Sequence, residues 1–350
     1  MLPVGAAWAA GVLAALTVLG MFGVLATQAE SVPGAATTLS IYSARQEFLI
    51  APLIARYQAL TGVAVEAVFI KQGVLERLKA EGRNSPADLV LTTDVASLAA
   101  MVAAGVLQPV RSAVLEANVP ARFRGEDGLW FGLTTRARAI FYARDRVDPS
   151  ELSTYVDLTD AKWRGRICMR SGHHDYNRAL LASMVAHDGE AAAEAWLRGL
   201  KANLARKPQG NERAQIRAIA EGVCDLALGN TYYMGKMKAD PEQRAWAAAV
   251  AIFFPDQDGR GTHVNISGVA VTRSSDDPDA ARAFVEFLSS DEAQRLYAEG
   301  NYEYPVKESV DLATEVASWG AFVVDAIPLR EVARHQATAV RIVDRVGFDE

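Results

Sequence analysis

From Leu39 onward the hydrophobic positions switch repeatedly between two periods. Leu39-Ser-Ile-Tyr42 alternates, as a strand does, and Arg45 to Leu60 then repeats apolar side chains at helical spacing (Phe48, Leu49, Leu53, Ile54, Tyr57, Leu60) before Thr61-Gly62 stops it. The same reading predicts a strand over Val63–Ile70, a helix over Gly73–Ala80, a strand over Asp88–Asp94 and an Ala-rich helix over Val95–Ala104. Strands alternating with helices predict an α/β fold with a mainly parallel sheet covered on both faces. Ligands of such sheets sit beyond the carboxyl ends of the strands, so Ser43–Gln46 and Thr92–Asp94 are expected to face a site.

The second half repeats the style. It predicts strands at Gly165–Arg170, Cys224–Gly229 and Val264–Thr272, and helices at Asp175–His187, Glu190–Leu204, Asn211–Glu221, Pro278–Leu288 and Asp291–Glu299, with the remainder to Glu350 largely helical. Two extended stretches, Gly132–Tyr142 and Val264–Thr272, read as crossings between two lobes. A double crossing makes the first lobe discontinuous: residues 39–136 plus 268–350, with 137–267 as the second lobe.

Ahead of this body the pattern is different. Met1–Ala29 carries no charged side chain and reads as an export segment, with Thr27-Gln28-Ala29 offering small residues for cleavage before Glu30. The apolar run is also long enough to remain as an uncleaved anchor. Residues 30–38 read as a linker. The whole chain, 350 residues with a formal charge of −6, has no basic footprint, so nucleic acid is not an expected partner, and a monomer is. Export directs the protein to the periplasm. There the two cysteines, Cys168 and Cys224, are expected to form one disulfide, the alternative being two buried free thiols.

Chemistry concentrates in three places. Gly229-Asn-Thr-Tyr232-Tyr233-Met-Gly235 follows a strand, and both tyrosines converge on one side only from a loop or a helix start. Its bland reading is two aromatics in a turn. Ser171-Gly-His173-His174-Asp175-Tyr176-Asn177 follows another strand and opens a helix, so its backbone N–H groups are placed to meet an anion, with Ser171 and Asp175 also suited to capping. Arg45, just after the first strand, presents a planar fork that suits carboxylate or carbonate, or serves simply as a surface charge at a helix entry. Arg136 and Arg138 share one face of a crossing strand and reach toward the same space. Phenols titrate near ~10 and stay neutral unless something stabilises phenolate. A trivalent hard cation does so, whereas softer metals call for Cys or His. Nothing in the chain resembles a nucleophile–base pair or a phosphate-cradling glycine loop, so a binding protein is expected and not an enzyme.

The segments Ile41–Gln46, Ala87–Asp94, Gly132–Ile140, Arg170–Asn177, Gly229–Tyr233 and Asn301–Val306 follow the order seen in periplasmic ferric-iron-binding proteins of ABC importers, and the chain resembles that family over roughly Leu39 to Arg330. The resemblance implies two α/β lobes of the type II periplasmic-binding-protein class, joined by two crossing strands, closing over Fe(III) for delivery to an inner-membrane permease. It implies Tyr176, Tyr232 and Tyr233 as metal ligands. Where several members place His-Tyr after the first-strand arginine, this chain has Gln46-Glu47, so it resembles the branch with three tyrosines and a carbonate-like anion. In that branch Arg45, Gln46 and Arg136 hold the anion. Glu47 is either a further ligand or a helix N-terminal acid, and His173 and His174 are either helpers or solvated loop residues. The same fold also serves organic solutes such as thiamine or a phosphonate, which is the alternative reading.

Overall fold

The computed structural model describes residues 38–350, so the export segment and most of the linker lie outside the described residues. The chain opens with a parallel layer. β1 (Thr38–Ser43) pairs in parallel with β2 (Ala64–Phe69) and β3 (Leu89–Thr92), and α1 (Glu47–Thr61), α2 (Val74–Glu81) and α3 (Val95–Ala103) supply the crossovers. α1 ends where periodicity stops, with Gly62 in the left-handed region as its C-cap. Asp94 caps α3 by accepting from the Ser97 N–H at 2.9 Å. Two short elements follow, β4 (Leu107–Gln108) and α4 (Ala113–Asn118).

β5 (Phe131–Ala143) is the longest strand and changes company along its length. Its first half, Phe131–Ala137, pairs antiparallel with β9 (Val264–Thr272), and its second half pairs with β7 (Leu226–Asn230) and β8 (Val250–Phe253). Between these come β6 (Ile167–Cys168), α5 (Asp175–Asp188), α6 (Glu190–Ala202), α7 (Glu212–Ala220), α8 (Tyr232–Ala239) and α9 (Arg244–Ala248). β9 returns the chain, pairing with β5 and then antiparallel with β3. The expected parallel arrangement thus holds for β2-β1-β3 and for β6-β7. The two crossing strands add the antiparallel neighbours, because a chain that leaves and returns must run both ways.

Buried side chains fall into clusters that meet along β5. One gathers β1, β3, α1, α3, the start of β5 and β9 around Leu39, Ile50, Leu91, Phe131 and Ile266. A second gathers the end of β5 with α5 and α6 around Ile140, Trp163, Leu181 and Leu200, and a third lies under α7 and α8 around Phe141, Ile219 and Met237. α10 (Pro278–Leu288) and α11 (Asp291–Asn301) return to the first cluster, and β10 (Tyr304–Pro305) pairs with the first half of β5.

The last part of the chain departs from expectation in two ways. Past β10 only α12 (Thr314–Ala317), α13 (Leu329–Arg334) and α14 (Gln336–Val346) are helical, and much of 306–328 is irregular. Moreover α14 buries Ala339, Ile342, Val343 and Val346 against α5 and α6, so the end of the chain packs with the second cluster and not the first. The apolar stripe of α14 required a partner face, but its spacing did not say which one. α13 touches both sides, with Leu329 in the first cluster and Val332 in the second.

Cys168 on β6 and Cys224, just before β7, form a disulfide with their Cα atoms 5.8 Å apart. It ties two parallel neighbours, and β7 leads directly into the tyrosine pair.

Candidate functional site

A cleft of about 500 Å³ opens where the carboxyl ends of the parallel strands meet. The turn after β1 supplies Arg45 and Gln46, the turn after β2 supplies Lys71 and Gln72, and Thr93 follows β3. From the other side come His174, Asp175 and Tyr176 at the start of α5, and Tyr232, Tyr233 and Lys236 on α8. The crossing strands form its back through Arg136 and Ser267.

The tyrosine pair occupies the first two positions of α8. Thr231 leaves β7 by donating its N–H to the Ala137 carbonyl at 3.1 Å, and its own side chain does not cap the helix. Starting a helix immediately after the strand rotates successive side chains by about 100°, which lets both rings lie along the cleft. Their centroids are 4.4 Å apart. The Tyr232 hydroxyl donates to the Tyr176 hydroxyl at 3.0 Å, so three phenols from two helix starts converge. Burial, reinforced by neighbouring Tyr176, Tyr233 and Glu212, holds the Tyr232 phenol well above its ordinary range, with Arg136 opposing. Burial and then Glu212 push the Tyr233 phenol up as well.

Cations surround these phenols. The Arg136, Arg138 and Arg170 guanidiniums lie 5.7, 6.0 and 5.6 Å from the Tyr176 ring centre. Arg138 is buried and donates to Glu212 at 3.1 Å and Asn230 at 3.2 Å, and Arg170 pairs with the other oxygen of Glu212. Glu212 is thus a fully buried carboxylate held by two guanidiniums, close enough to the phenols for its charge to oppose their ionisation. Among the described residues the wall of the cleft holds Arg45, Lys71, Arg136, Arg213 and Lys236 against Asp175 and Glu303 as acids. Burial brings the Lys236 ammonium down to about 8, with Arg45 and Arg213 adding to the effect and Glu303 opposing it.

Several expected residues have other commitments. Arg45 is 3% exposed, and one of its terminal nitrogens donates to Glu303 at 2.8 Å, leaving Nε and Nη1 without a hydrogen-bond partner among the described residues. Arg136 donates to Ser267 at 3.2 Å and to the Thr93 carbonyl. Gln46 is exposed on the cleft wall as the residue before α1. Glu47 is exposed at the first position of α1 and does not line the cleft. Most backbone N–H groups of the turn before α5 are committed within the protein. The N–H of Gly172 is taken by Asp349, that of His173 by Ser171, that of His174 by the Ser171 carbonyl and that of Tyr176 by His174 Nδ1. His174, not Ser171 or Asp175, is therefore the capping residue of α5. Burial and then Arg170 push its imidazole down to about 3, so it is neutral and free to accept. His173 is exposed and lies 3.1 Å from Asp344.

Glu303, Lys236 and Arg213 carry no role in the sequence reading. Glu303 had one available signal, a lone acid in the apolar segment Tyr302–Val306. Lys236 follows the tyrosine pair by one helical turn, which is the spacing that returns a side chain to the same face.

The bacterial extracellular solute-binding protein family matches residues 84–324. Iron uptake protein A1 of Synechocystis is 46% identical over 90% of this chain and 89% of its own length. The fold superposes with a TM-score of 0.85 on the apo ferric ion-binding protein A of Pasteurella haemolytica, 44% identical, covering 90% of this chain and 99% of that one. A Trichodesmium protein solved in complex with iron and citrate ligands gives 0.86 at 41% identity, covering 89% and 99%. With its cleft at the strand ends and its two crossing strands, this chain belongs to the bacterial extracellular solute-binding protein family and has the two-lobed type II periplasmic-binding-protein fold.

Proposed function

We propose that this protein is a non-enzymatic, periplasmic receptor that captures ferric iron in the cleft and delivers it to the permease of an ABC importer. The observation that carries the reading is the meeting of Tyr176 and Tyr232 at 3.0 Å between hydroxyl oxygens, with Tyr233 beside them. Two oxygens at that distance span one edge of an octahedron whose metal–oxygen bonds are about 2.1 Å. Iron uptake proteins and ferric-binding proteins among its relatives support the same ligand.

The energetics select the ion. Burial opposes ionising Tyr232 and Tyr233, and each phenolate opposes the next. A divalent ion leaves three phenolates with excess negative charge, whereas a trivalent one balances them. Guanidiniums around Tyr176 place positive charge beside the phenol cluster, which offsets part of the negative charge the ligands gain once the metal binds. Since the cleft walls carry more bases than acids, the ion is expected with an anion that completes its coordination. Arg45 Nε and Nη1, Gln46 and Arg136 are the groups assigned to that anion, with Arg213 and Lys236 adding positive charge. The cleft volume far exceeds a bare cation, which leaves space for carbonate or a small carboxylate chelate.

The two lobes of this reading divide on β5 and β9. Residues up to about Ala139, together with those from about Val264 to Leu329, form the first. The intervening chain and the end from Val332 form the second. Closure then brings Arg45 and Gln46 onto an ion held by the second lobe.

Mixing the purified protein with Fe(III) and bicarbonate is expected to give a visible phenolate-to-iron charge-transfer band. Tyr232→Phe and Tyr233→Phe are expected to weaken both the band and the affinity. A protein that stays colourless and is instead stabilised by thiamine or a phosphonate overturns the assignment.

A further inference from the structure

We infer that Gly235 and Tyr302 form a seat that sets how closely the tyrosine pair approaches the Arg45–Glu303 pair, making both positioning residues of the cleft. This rests on the ferric reading for its ligand, and on packing alone for its geometry.

α8 carries Tyr232 and Tyr233 at its first two positions and Gly235 three residues after Tyr232. The half-buried side chain of Tyr302 packs directly against that glycine. A Cβ at position 235 falls within 3.0 Å of the Cβ, Cγ and Cδ1 of Tyr302. Only a residue without a side chain permits this approach. Tyr302 is itself held in an unusual state, with φ of 57° and ψ of 32° as the left-handed C-cap of α11. Left-handed backbone is disfavoured for a bulky side chain, so the surroundings must hold it there. Its immediate neighbours along the chain are Asn301 and Glu303, both lining the cleft, and Glu303 is the partner of Arg45. The seat therefore joins the backbone that carries the phenols to the backbone that carries the buried ion pair.

Two other contacts frame it on α8. Lys236 places its ammonium 4.7 Å from the Phe48 ring centre, on α1, and Lys238 pairs with Glu315 at 2.6 Å. Both are polar and adjustable, because long side chains shift their heads at small cost. The Gly235–Tyr302 contact is backbone against ring and cannot adjust in that way. Of the three, it is the one that defines a distance.

Gly235→Ala requires the ring to retreat or α8 to swing out, and overpacking of this kind shifts equilibria by roughly ten- to a hundredfold. The expected result is a variant that still forms the charge-transfer band, since Tyr176, Tyr232 and Tyr233 are untouched, but releases iron to a competing chelator roughly tenfold or more faster. The double variant Gly235→Ala/Tyr302→Gly removes the colliding atoms and suits the left-handed backbone, so it is expected to recover most of the wild-type release rate. Small-angle scattering of the metal-free single variant is expected to show a larger radius of gyration, also reversed in the double variant. That measurement needs no iron, so a failure of the ferric reading leaves it intact as a test. Wild-type release and scattering in Gly235→Ala overturn the seat, and so does a defect that Tyr302→Gly leaves unrelieved. Should the single variant not fold, recovery of a folded, compact double variant supports the collision, and its failure to fold overturns it.

Discussion

Arg45 and Glu303 meet from positions 258 residues apart, with the guanidinium donating to the carboxylate at 2.8 Å while both are nearly excluded from solvent. Thr134 donates to the same carboxylate oxygen at 2.9 Å. Burial by itself raises the Glu303 carboxyl, but Arg45 and Arg136 more than offset it and hold the group below its ordinary range. The arginine that the sequence offers as an anion grip is thus already charge-balanced. What it retains for a ligand is direction, through Nε and Nη1, and no net charge.

Removing one member of such a pair exposes the cost of burying the other. Glu303→Ala is expected to lower unfolding free energy by about 3–5 kcal/mol, and Glu303→Gln by less because the hydrogen bonds persist. Urea denaturation of the metal-free variants measures both. A Glu303→Ala protein as stable as wild type contradicts the pairing.

Iron capture is expected to strengthen as pH rises. Tyr232 and Tyr233 both sit above their ordinary range in the empty cleft, so each is neutral near pH 7 and must lose its proton to become a ligand. The protons released by these two phenols alone correspond to about a hundredfold in affinity per pH unit. Competition for ferric ion against a chelator of known protonation behaviour, repeated across pH, checks this, with an affinity change below about tenfold per pH unit after correction for the chelator as the contrary result.

Acid is expected to destabilise the metal-free fold before its carboxylates titrate. His263, on the turn entering β9, is 3% exposed, and burial with Arg138 and Arg136 brings its imidazole down to about 3. Between about pH 6.5 and 3 the unfolded chain binds a proton that the folded chain refuses, so stability is present above this window and falls through it. The lowered Glu303 adds its own loss only at lower pH. Melting temperature followed from pH 7 to 4 should decline, and a His263→Phe variant that still folds should show a shallower decline. An equal slope in both removes His263 from the account.

Reducing the Cys168–Cys224 bond opens a loop of 56 positions and is expected to cost about 4 kcal/mol through the added freedom of the unfolded chain. Because β7 runs directly into Tyr232, the loss should also reach iron binding. Thermal melts with and without a thiol reductant, repeated on a Cys168→Ala/Cys224→Ala variant, measure it. Unchanged melting on reduction argues against the stabilising role.

Local pattern carried far in some regions and stopped short in others. The Val264–Thr272 strand and the Pro278–Leu288 helix have the limits their periodicity predicts, since alternation and helical spacing report burial directly. The strand read over Gly165–Arg170 contracts to Ile167–Cys168, because only those two residues find a ladder partner on β7. At the site, Tyr176, Tyr232, Tyr233, Arg45, Gln46 and Arg136 all line one cleft, being placed just after strands where spacing can locate them. Glu47 does not, since one further residue into α1 turns the side chain to solvent. Lys236 was legible in principle as one helical turn beyond Tyr232, but nothing in its neighbours along the chain distinguishes it from a solvated lysine.

By itself the sequence determined most of the longer strands and helices and the two crossings, because each depends on residues a few positions apart, while Tyr176, Tyr232 and Tyr233 were singled out by their places after strands and by the family resemblance. Only the tertiary structure decided that Glu303 neutralises Arg45, that Tyr302 rests on Gly235 and that α14 joins α5 and α6. Those relations connect residues tens to hundreds of positions apart. Burial of an apolar stripe or a charge demands some partner, and which partner it receives is settled by how the whole chain packs.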